Sequence, residues 1–263
     1  MSSELYKAIS YTTDIQCLKD CNIYEYDIAK ANISVLFDRG LISSFYYNYL
    51  YNQDRMVRQV TIGKMEKDNP EITKEKAKGI EEAKKYIFEM NDIDDSEVIS
   101  IKNDAVFITR PLYHTKYKHA EFTLRNQFNL FIKVFRLEFY YLWDPMNDKE
   151  VLNIKGIRDE VLEKQNDYLL DFLKELFSSY ITNGVDESIV LLKNFYKHYM
   201  NKEFDIGYYR DLYTGKYSLN TGSIVYDYDS DISDSKLLPM INISNNGSLL
   251  REIGKILYTD YLR

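Results

Sequence analysis

The stretch "YEYDIAKANISVLFDRGLIS", residues 24–43, decides the predicted fold, because a β-rich apolar run ends in a lone carboxylate just before a helical pattern begins. The carboxylate is Asp27. At the end of a buried strand it would carry a desolvation cost that a metal ion or another cation normally offsets. Its alternative role is to cap the following helix, which needs no metal. A second carboxylate nearby would favour the role of metal ligand for Asp27 over the role of helix cap.

Residues 98–108, "VISIKNDAVFI", supply a second carboxylate. Two β-rich halves flank Lys102, Asn103 and Asp104, and this pattern predicts a β-hairpin with Asp104 near its tip. If Asp27 and Asp104 lie on adjacent strands, they can share one or two Mg²⁺ or Mn²⁺ ions, because these ions bind a few carboxylates together with water and substrate phosphates. The alternative is that Asp104 is an ordinary turn residue.

Helical patterns separate the two carboxylates in sequence. The first helix is expected to end at Gly40 in a left-handed cap, and the second covers residues 45–67 after a serine cap. The polar half of the second helix carries three cations, Arg55, Arg58 and Lys64. A cationic helix in this place would contact the phosphates of a triphosphate. The alternative is that these side chains form a solvated helix face.

A third helix is predicted to open at Thr73. Its apolar side consists of Ala77, Ile80, Ala83, Ile87 and Met90. Beyond the hairpin, residues 119–143 alternate as further strands, with turns expected near Arg125–Asn126 and Arg136. The nearest approach to a linker is residues 143–150, and from Arg158 the pattern is helical. This order predicts an α+β fold in which helices pack on one face of an antiparallel sheet.

The charge balance limits the classes of function. The chain has 34 Lys and Arg against 41 Asp and Glu, a net charge of -7, which argues against a nonspecific polyanion binder but allows a local basic groove. The first ten residues lack the pattern of a signal peptide, and no apolar run approaches the ~20 residues that span a bilayer. We therefore expect a cytosolic protein that does not bind membranes.

The order of these segments resembles the palm and fingers of family-B DNA polymerases. "DIAKANIS", residues 27–34, is similar to that family's first motif, in which an Asp is followed by a short segment ending in Tyr and by a helix. "KNDAVFI", residues 102–108, is similar to the third motif, Asp-Thr-Asp-Ser followed by apolar residues, and "RQVTIGKM", residues 58–65, lies where the second motif's helix belongs. The resemblance covers about residues 20–110 and implies a truncated, divergent relative of phage or mobile-element type.

The resemblance assigns roles residue by residue. It implies that Asp27 and Asp104 are the catalytic metal ligands and that Asn32 stands where the family has the Tyr that senses the sugar. It makes Lys64 the candidate triphosphate lysine, with Arg58 on the same helix. The sequence also departs from the family: Lys102 replaces the first Asp of the third motif, and the Asn-Ser-x-Tyr-Gly end of the second motif is absent.

Two hypotheses from different classes follow. In the first, residues 1–145 form a palm and fingers region and residues 146–263 a mainly helical thumb-like region of a Mg²⁺- or Mn²⁺-dependent DNA polymerase. Its partners would be a primer-template, nucleoside triphosphates and other replication proteins, in the host cytoplasm if a phage encodes it. Three cations after the hairpin would border the nucleic-acid channel, Arg110, Lys116 and Lys118. In the second, the protein is catalytically silent and binds nucleic acid or a partner protein.

Overall fold

A computed structural model describes residues 4–220, 225–226 and 234–261 and has the predicted α+β fold. The chain divides into two compact units. Unit 1 consists of Met1–Asp14 and Asn22–Gln127, and unit 2 of Ile15–Cys21 and Phe128–Arg263. The domain boundary expected after residue 145 therefore lies within unit 2.

The elements follow in this order along the part of the chain that the structure describes. The strands are β1 (Ser10–Thr12), β2 (Cys17–Ile28), β3 (Val98–Lys102), β4 (Ala105–Ile108), β5 (Lys116–Tyr117), β6 (Ala120–Val134), β7 (Leu137–Asp144), β8 (Lys149–Lys155), β9 (Tyr217–Ser218) and β10 (Val225–Tyr226). The helices are α1 (Ala31–Asp38), α2 (Ser44–Tyr51), α3 (Arg55–Asp68), α4 (Glu71–Met90), α5 (Asp159–Glu163), α6 (Leu169–Thr182), α7 (Val185–Met200), α8 (Asp234–Leu237) and α9 (Ser244–Tyr261).

The sheet of unit 1 has the strand order β1-β3-β4-β2-β6, and β5 pairs with β6. β3 and β4 form the predicted hairpin, and its turn residue Asn103 has a φ of 58°, which Asn adopts more readily than most residues. β4 lies antiparallel beside β2, with Ala105 opposite Asp27. This register brings the end of the strand that carries Asp27 beside the hairpin turn that contains Asp104.

Helices α1 and α4 pack together in the core of unit 1. Gly79 of α4 permits their close approach, because a Cβ atom there would overlap the side chain of Val35 on α1. The predicted apolar side of α4 is confirmed at Ile80, Ala83 and Ile87, which are buried. The prediction of this apolar side is wrong at its two ends, since Ala77 and Met90 are exposed. The predicted start is also wrong, because α4 begins at Glu71, two residues before Thr73.

The segment predicted as one helix over residues 45–67 is two helices. Ser43 caps α2 by accepting a hydrogen bond from the N–H of Tyr46, and Asp54 caps α3 by accepting one from the N–H of Val57. The cap at Asp54 breaks the apparent continuity of the pattern, because it satisfies the first free N–H groups of a new helix. A separate apolar cluster that includes Leu36, Leu50, Ile62 and Ile72 joins α2 and α3 to α1 and α4.

Unit 2 has antiparallel pairs β6–β7 and β7–β8, and the described helices α6, α7 and α9 contribute to its apolar core. The turn expected near Arg136 is confirmed, since β6 ends at Val134 and β7 begins at Leu137. The turn expected at Arg125–Asn126 is wrong, because β6 continues through it. Residues 143–150 are the turn of the β7–β8 hairpin and the two strand ends that it joins, so they are not a linker.

Candidate functional site

Unit 1 contains a cleft of about 750 Å³ at the end of β2. Four of the residues predicted to form the site line it, Asp27, Asn32, Arg58 and Asp104. Its other charged lining residues are Glu25, Lys30, Arg55 and Arg125. Carboxylates and cations therefore share one polar cleft, which suits a ligand carrying both signs of charge, such as a complex of a metal ion with a polyphosphate.

The carboxyl groups of Asp27 and Asp104 lie close enough to act on each other through their charges and through a hydrogen bond when one is protonated. The pKa of Asp104 is raised, first by burial of its carboxyl group and next by the negative charge of Asp27. Asn103 moderates this effect by donating a hydrogen bond of 3.3 Å from its Nδ2 to Oδ1 of Asp104. Two carboxylates this close need a proton or a cation between them, and the structure brings the two predicted metal ligands into that arrangement.

Asp27 does not cap α1. The capping position is Lys30, whose backbone is left-handed with a φ of 52° and which makes no side-chain capping bond. The Nζ of Lys30 donates a hydrogen bond of 2.6 Å to the carbonyl of Tyr51 and lies 3.3 Å from the centre of its ring. Burial and then the charge of Arg58 lower the pKa of Lys30. The alternative role for Asp27 is therefore wrong, and its carboxylate is available to the cleft.

The face of α3 that lines the cleft carries Arg55, Arg58, Gln59 and Ile62. These positions share one side of a helix, because they are separated by three, four and seven residues. Arg58 also donates a hydrogen bond to the carbonyl of Gln53. Lys64 is exposed and is not among the residues lining the cleft, since six positions along an unbroken helix turn it away from Arg58. The second cation that α3 contributes to the cleft is therefore Arg55.

Asn32 is the second residue of α1, half-buried and in the lining of the cleft. It follows Lys30 and Ala31, so the left-handed turn at Lys30 sets the direction in which the first turn of α1 starts. The amide of Asn32 offers both hydrogen-bond donors and an acceptor to a bound molecule.

Arg125 is a site residue that the sequence reading missed. Its guanidinium lies 3.4 Å from the carboxylate of Asp27, and Thr123 on the same strand donates a hydrogen bond of 3.2 Å to the carbonyl of Asp27. The turn wrongly expected at Arg125–Asn126 hid this placement. The alternation along β6, in which Thr123 and Arg125 share a face, is the signal that could have found it.

The cations proposed to border a nucleic-acid channel lie outside the lining of the cleft. Arg110 forms an ion pair of 2.9 Å with Glu97 and donates hydrogen bonds to the carbonyls of Asn91 and Asp92, so it ties the end of β4 to the loop after α4. Lys116 is exposed on β5. The ammonium of Lys118 lies 4.8 Å from the centre of the Tyr117 ring.

Lys84 of α4 adds a buried cation to unit 1. Burial lowers its pKa to about 8, although the charges of Glu81 and Asp104 act in the opposite direction. Its Nζ donates a hydrogen bond of 2.5 Å to the carbonyl of Ala8. Lys84 therefore contributes positive potential at Asp104 without lining the cleft.

A metal bound here would have few protein ligands. Among the described residues, no group of three or more His, Cys, Asp and Glu side chains could hold a metal ion. Two carboxylates with open positions match the preference of Mg²⁺, which usually keeps several waters and binds substrate phosphates.

Among the residues that the structure describes, no helix is both long and apolar enough to cross a membrane.

Residues 1–259 match the profile of the bacteriophage PBS1 gene 130 protein family. The chain belongs to this family. The predicted phage type is thus confirmed at the level of the family, whose description names no polymerase. No curated protein matches the chain.

Proposed function

We propose that this member of the PBS1 gene 130 protein family is a palm-type nucleotidyltransferase that carries out template-directed DNA synthesis by two-metal phosphoryl transfer. The proposal is supported chiefly by the contact between the carboxyl groups of Asp27 and Asp104, from adjacent strands, in a cleft that also contains Arg55 and Arg58. The placement of the two carboxylates agrees with what the resemblance to family-B polymerases implies.

Mg²⁺ or Mn²⁺ fits the donor set of this cleft. Burial and then the negative charge of Asp27 raise the pKa of Asp104, and a divalent cation bound there would offset both effects. Held by Asp27 and Asp104, the metal would activate the attacking oxygen and stabilise the leaving one. Arg125, 3.4 Å from Asp27, orients that carboxylate from β6.

The remaining residues of the cleft bind and orient the nucleotide. Arg55 and Arg58 contact the triphosphate, with guanidinium groups that donate paired hydrogen bonds to phosphate oxygens. Lys30 adds positive charge at the start of α1. Asn32 lies beside the sugar. We transfer the phosphate-binding role expected of Lys64 to Arg55, because Arg55 shares the face of α3 that lines the cleft.

Residues outside the cleft would contact the rest of the substrate and other proteins. Arg110, Lys116 and Lys118 contact the primer-template, and the mainly helical region after residue 146 serves as a thumb. Other replication proteins of the phage are the expected partners, and the host cytoplasm is the expected compartment.

A primer-extension assay with Mg²⁺ or Mn²⁺ tests the proposal. We expect incorporation by the wild type and a loss of at least ~100-fold in Asp27→Asn, Asp104→Asn and the double variant, because each change removes a metal-binding charge and keeps the shape of the side chain. Asp92→Asn is the matched control, since Asp92 is exposed and Asn tolerates its φ of 48°. Retained incorporation in either site variant would refute the assignment.

A second candidate is a catalytically silent palm-like protein that binds nucleic acid or a partner protein. It is favoured by Arg125, which supplies Asp27 with a cation from the protein itself, and by Lys102 in place of a carboxylate. Binding of a labelled primer-template that is unchanged by EDTA and by added nucleotide, without extension, would support this candidate over the first.

A further inference from the structure

Unit 2 has an apolar groove of about 490 Å³ between α7 and α9. α7 contributes Ile189, Leu192 and Tyr196, spaced so that they lie on one face of the helix. α9 contributes Leu250 and Tyr258, and Tyr258 is 53% exposed. Leu192 and Leu250 are buried and form the floor, whereas the tyrosines leave apolar surface open to solvent.

Four cations border this groove, and none of its lining residues that the structure describes is acidic. They are Lys193, Lys197, Arg251 and Lys255, all exposed. Glu252 pairs with Lys255 at 2.7 Å and lies 3.9 Å from Arg251. On α7, neither Lys193 nor Lys197 forms an ion pair with another residue that the structure describes. The groove is therefore locally positive in a chain whose net charge is -7.

We propose that the α7–α9 groove binds an acidic amphipathic helix of a partner protein. From Ile189 to Lys197 the groove runs for about 12 Å, or roughly two helical turns. A helix that lies in such a groove inserts apolar side chains at spacings of three, four and seven residues. Acidic residues on its flanks would meet the four cations, so the apolar floor and the charged rim select the same partner.

The shape of the groove favours a helix over other anionic ligands. Gly254 permits α9 to pack closely against Leu192 of α7 at the floor of the groove, since a Cβ atom there would lie 2.9 Å from Cδ2 of Leu192. A single-stranded nucleic acid binds mainly through phosphates and stacked bases, and it would leave the aliphatic floor uncovered. A lipid bilayer presents a broad surface and is recognised by basic clusters or by a protruding apolar face, whereas this apolar surface is recessed.

The probe is a fluorescein-labelled peptide of about 16 residues, with Leu at helical spacings of three and four and Glu on both flanks. Its control has the same composition in scrambled order. We expect the full-length protein to bind the amphipathic peptide with a dissociation constant of ~10 µM by fluorescence anisotropy, and the scrambled peptide about tenfold more weakly. Binding should weaken with added salt, because exposed charges contribute.

The test variant is Lys193→Glu with Lys197→Glu, and we expect about tenfold weaker peptide binding. Lys67→Glu with Lys149→Glu is the matched control, because both lysines are exposed, neither lines the groove and the change in charge is the same. Circular dichroism would confirm that both variants fold. Three results would overturn the proposal: no binding of the amphipathic peptide, equal binding of the scrambled peptide, or an equal loss in the control variant. Displacement of the peptide by oligo-dT or by phosphatidylserine vesicles would assign the groove to nucleic acid or to membranes instead.

Discussion

The carboxyl group of Asp104, in the β3–β4 turn, contacts the carboxyl group of Asp27, at the end of β2. The pairing of β2 with β4 places Asp27 opposite Ala105, the residue after Asp104, so the backbone holds the two aspartates side by side. Unit 1 thus holds two like charges together at a place where a bound cation would be stabilised.

Asp104→Asn should stabilise the protein at neutral pH by about 1 kcal/mol, or ~3 °C in Tm. The pKa of Asp104 is raised in the fold, so the wild type loses stability as the pH rises from the value of a free Asp to that of Asp104. The difference in the free energy of unfolding between the variant and the wild type should therefore shrink as the pH falls below this range. Urea unfolding of both proteins between about pH 3 and pH 7 measures this difference. An advantage that does not change with pH would mean that repulsion from Asp27 is not its cause.

Mg²⁺ should stabilise the wild type by about 1.4 kcal/mol when its concentration is roughly ten times the dissociation constant. Asp27→Asn and Asp104→Asn should lose this effect, because each removes one of the two charges that hold the ion. Thermal unfolding with and without MgCl₂ measures the change, with NaCl of equal ionic strength as the control. A similar rise in Tm in all three proteins would place the Mg²⁺ site elsewhere.

Asn32 should affect the choice between ribonucleotides and deoxynucleotides if the protein polymerises. Asn is shorter than the Tyr that the family has at this place, so it leaves room for a 2′-OH and can form a hydrogen bond with it. We expect ready incorporation of ribonucleotides by the wild type and a stronger preference for deoxynucleotides in Asn32→Tyr, by about tenfold. Single-nucleotide incorporation kinetics decide this, and an unchanged ratio would show that Asn32 does not contact the sugar.

Gly79→Ala should destabilise unit 1 by about 1–3 kcal/mol, because its Cβ would overlap the side chain of Val35 where α1 and α4 meet. The double variant with Val35→Ala should recover part of the loss beyond what the single changes add up to, since the smaller residue removes the overlap. Gly63→Ala is the control, because a Cβ atom at Gly63 meets nothing within 4 Å. A double-mutant cycle by urea unfolding that shows no coupling would contradict this packing.

Local sequence signals were sufficient to predict which of the main elements of unit 1 are strands and which are helices, and in what order they follow. The β-rich run before Asp27, the hairpin around Asn103 and the left-handed Gly40, with its φ of 70°, follow from periodicity and turn chemistry within a few residues. The class of the fold follows from this order. The break between α2 and α3 was also encoded locally, in the cap at Asp54, but the continuous helical pattern masked it.

Only the tertiary structure decided which side chains meet in the cleft. Arg125 reaches Asp27 because β6 continues where a turn was expected, and the length of a strand depends on pairing with distant segments. Arg55 lines the cleft and Lys64 does not, because the packing of α3 chooses one face of a helix that is polar on several sides. The sequence by itself determined which residues carry charge and in which elements, whereas long-range packing determined which of those charges share a site.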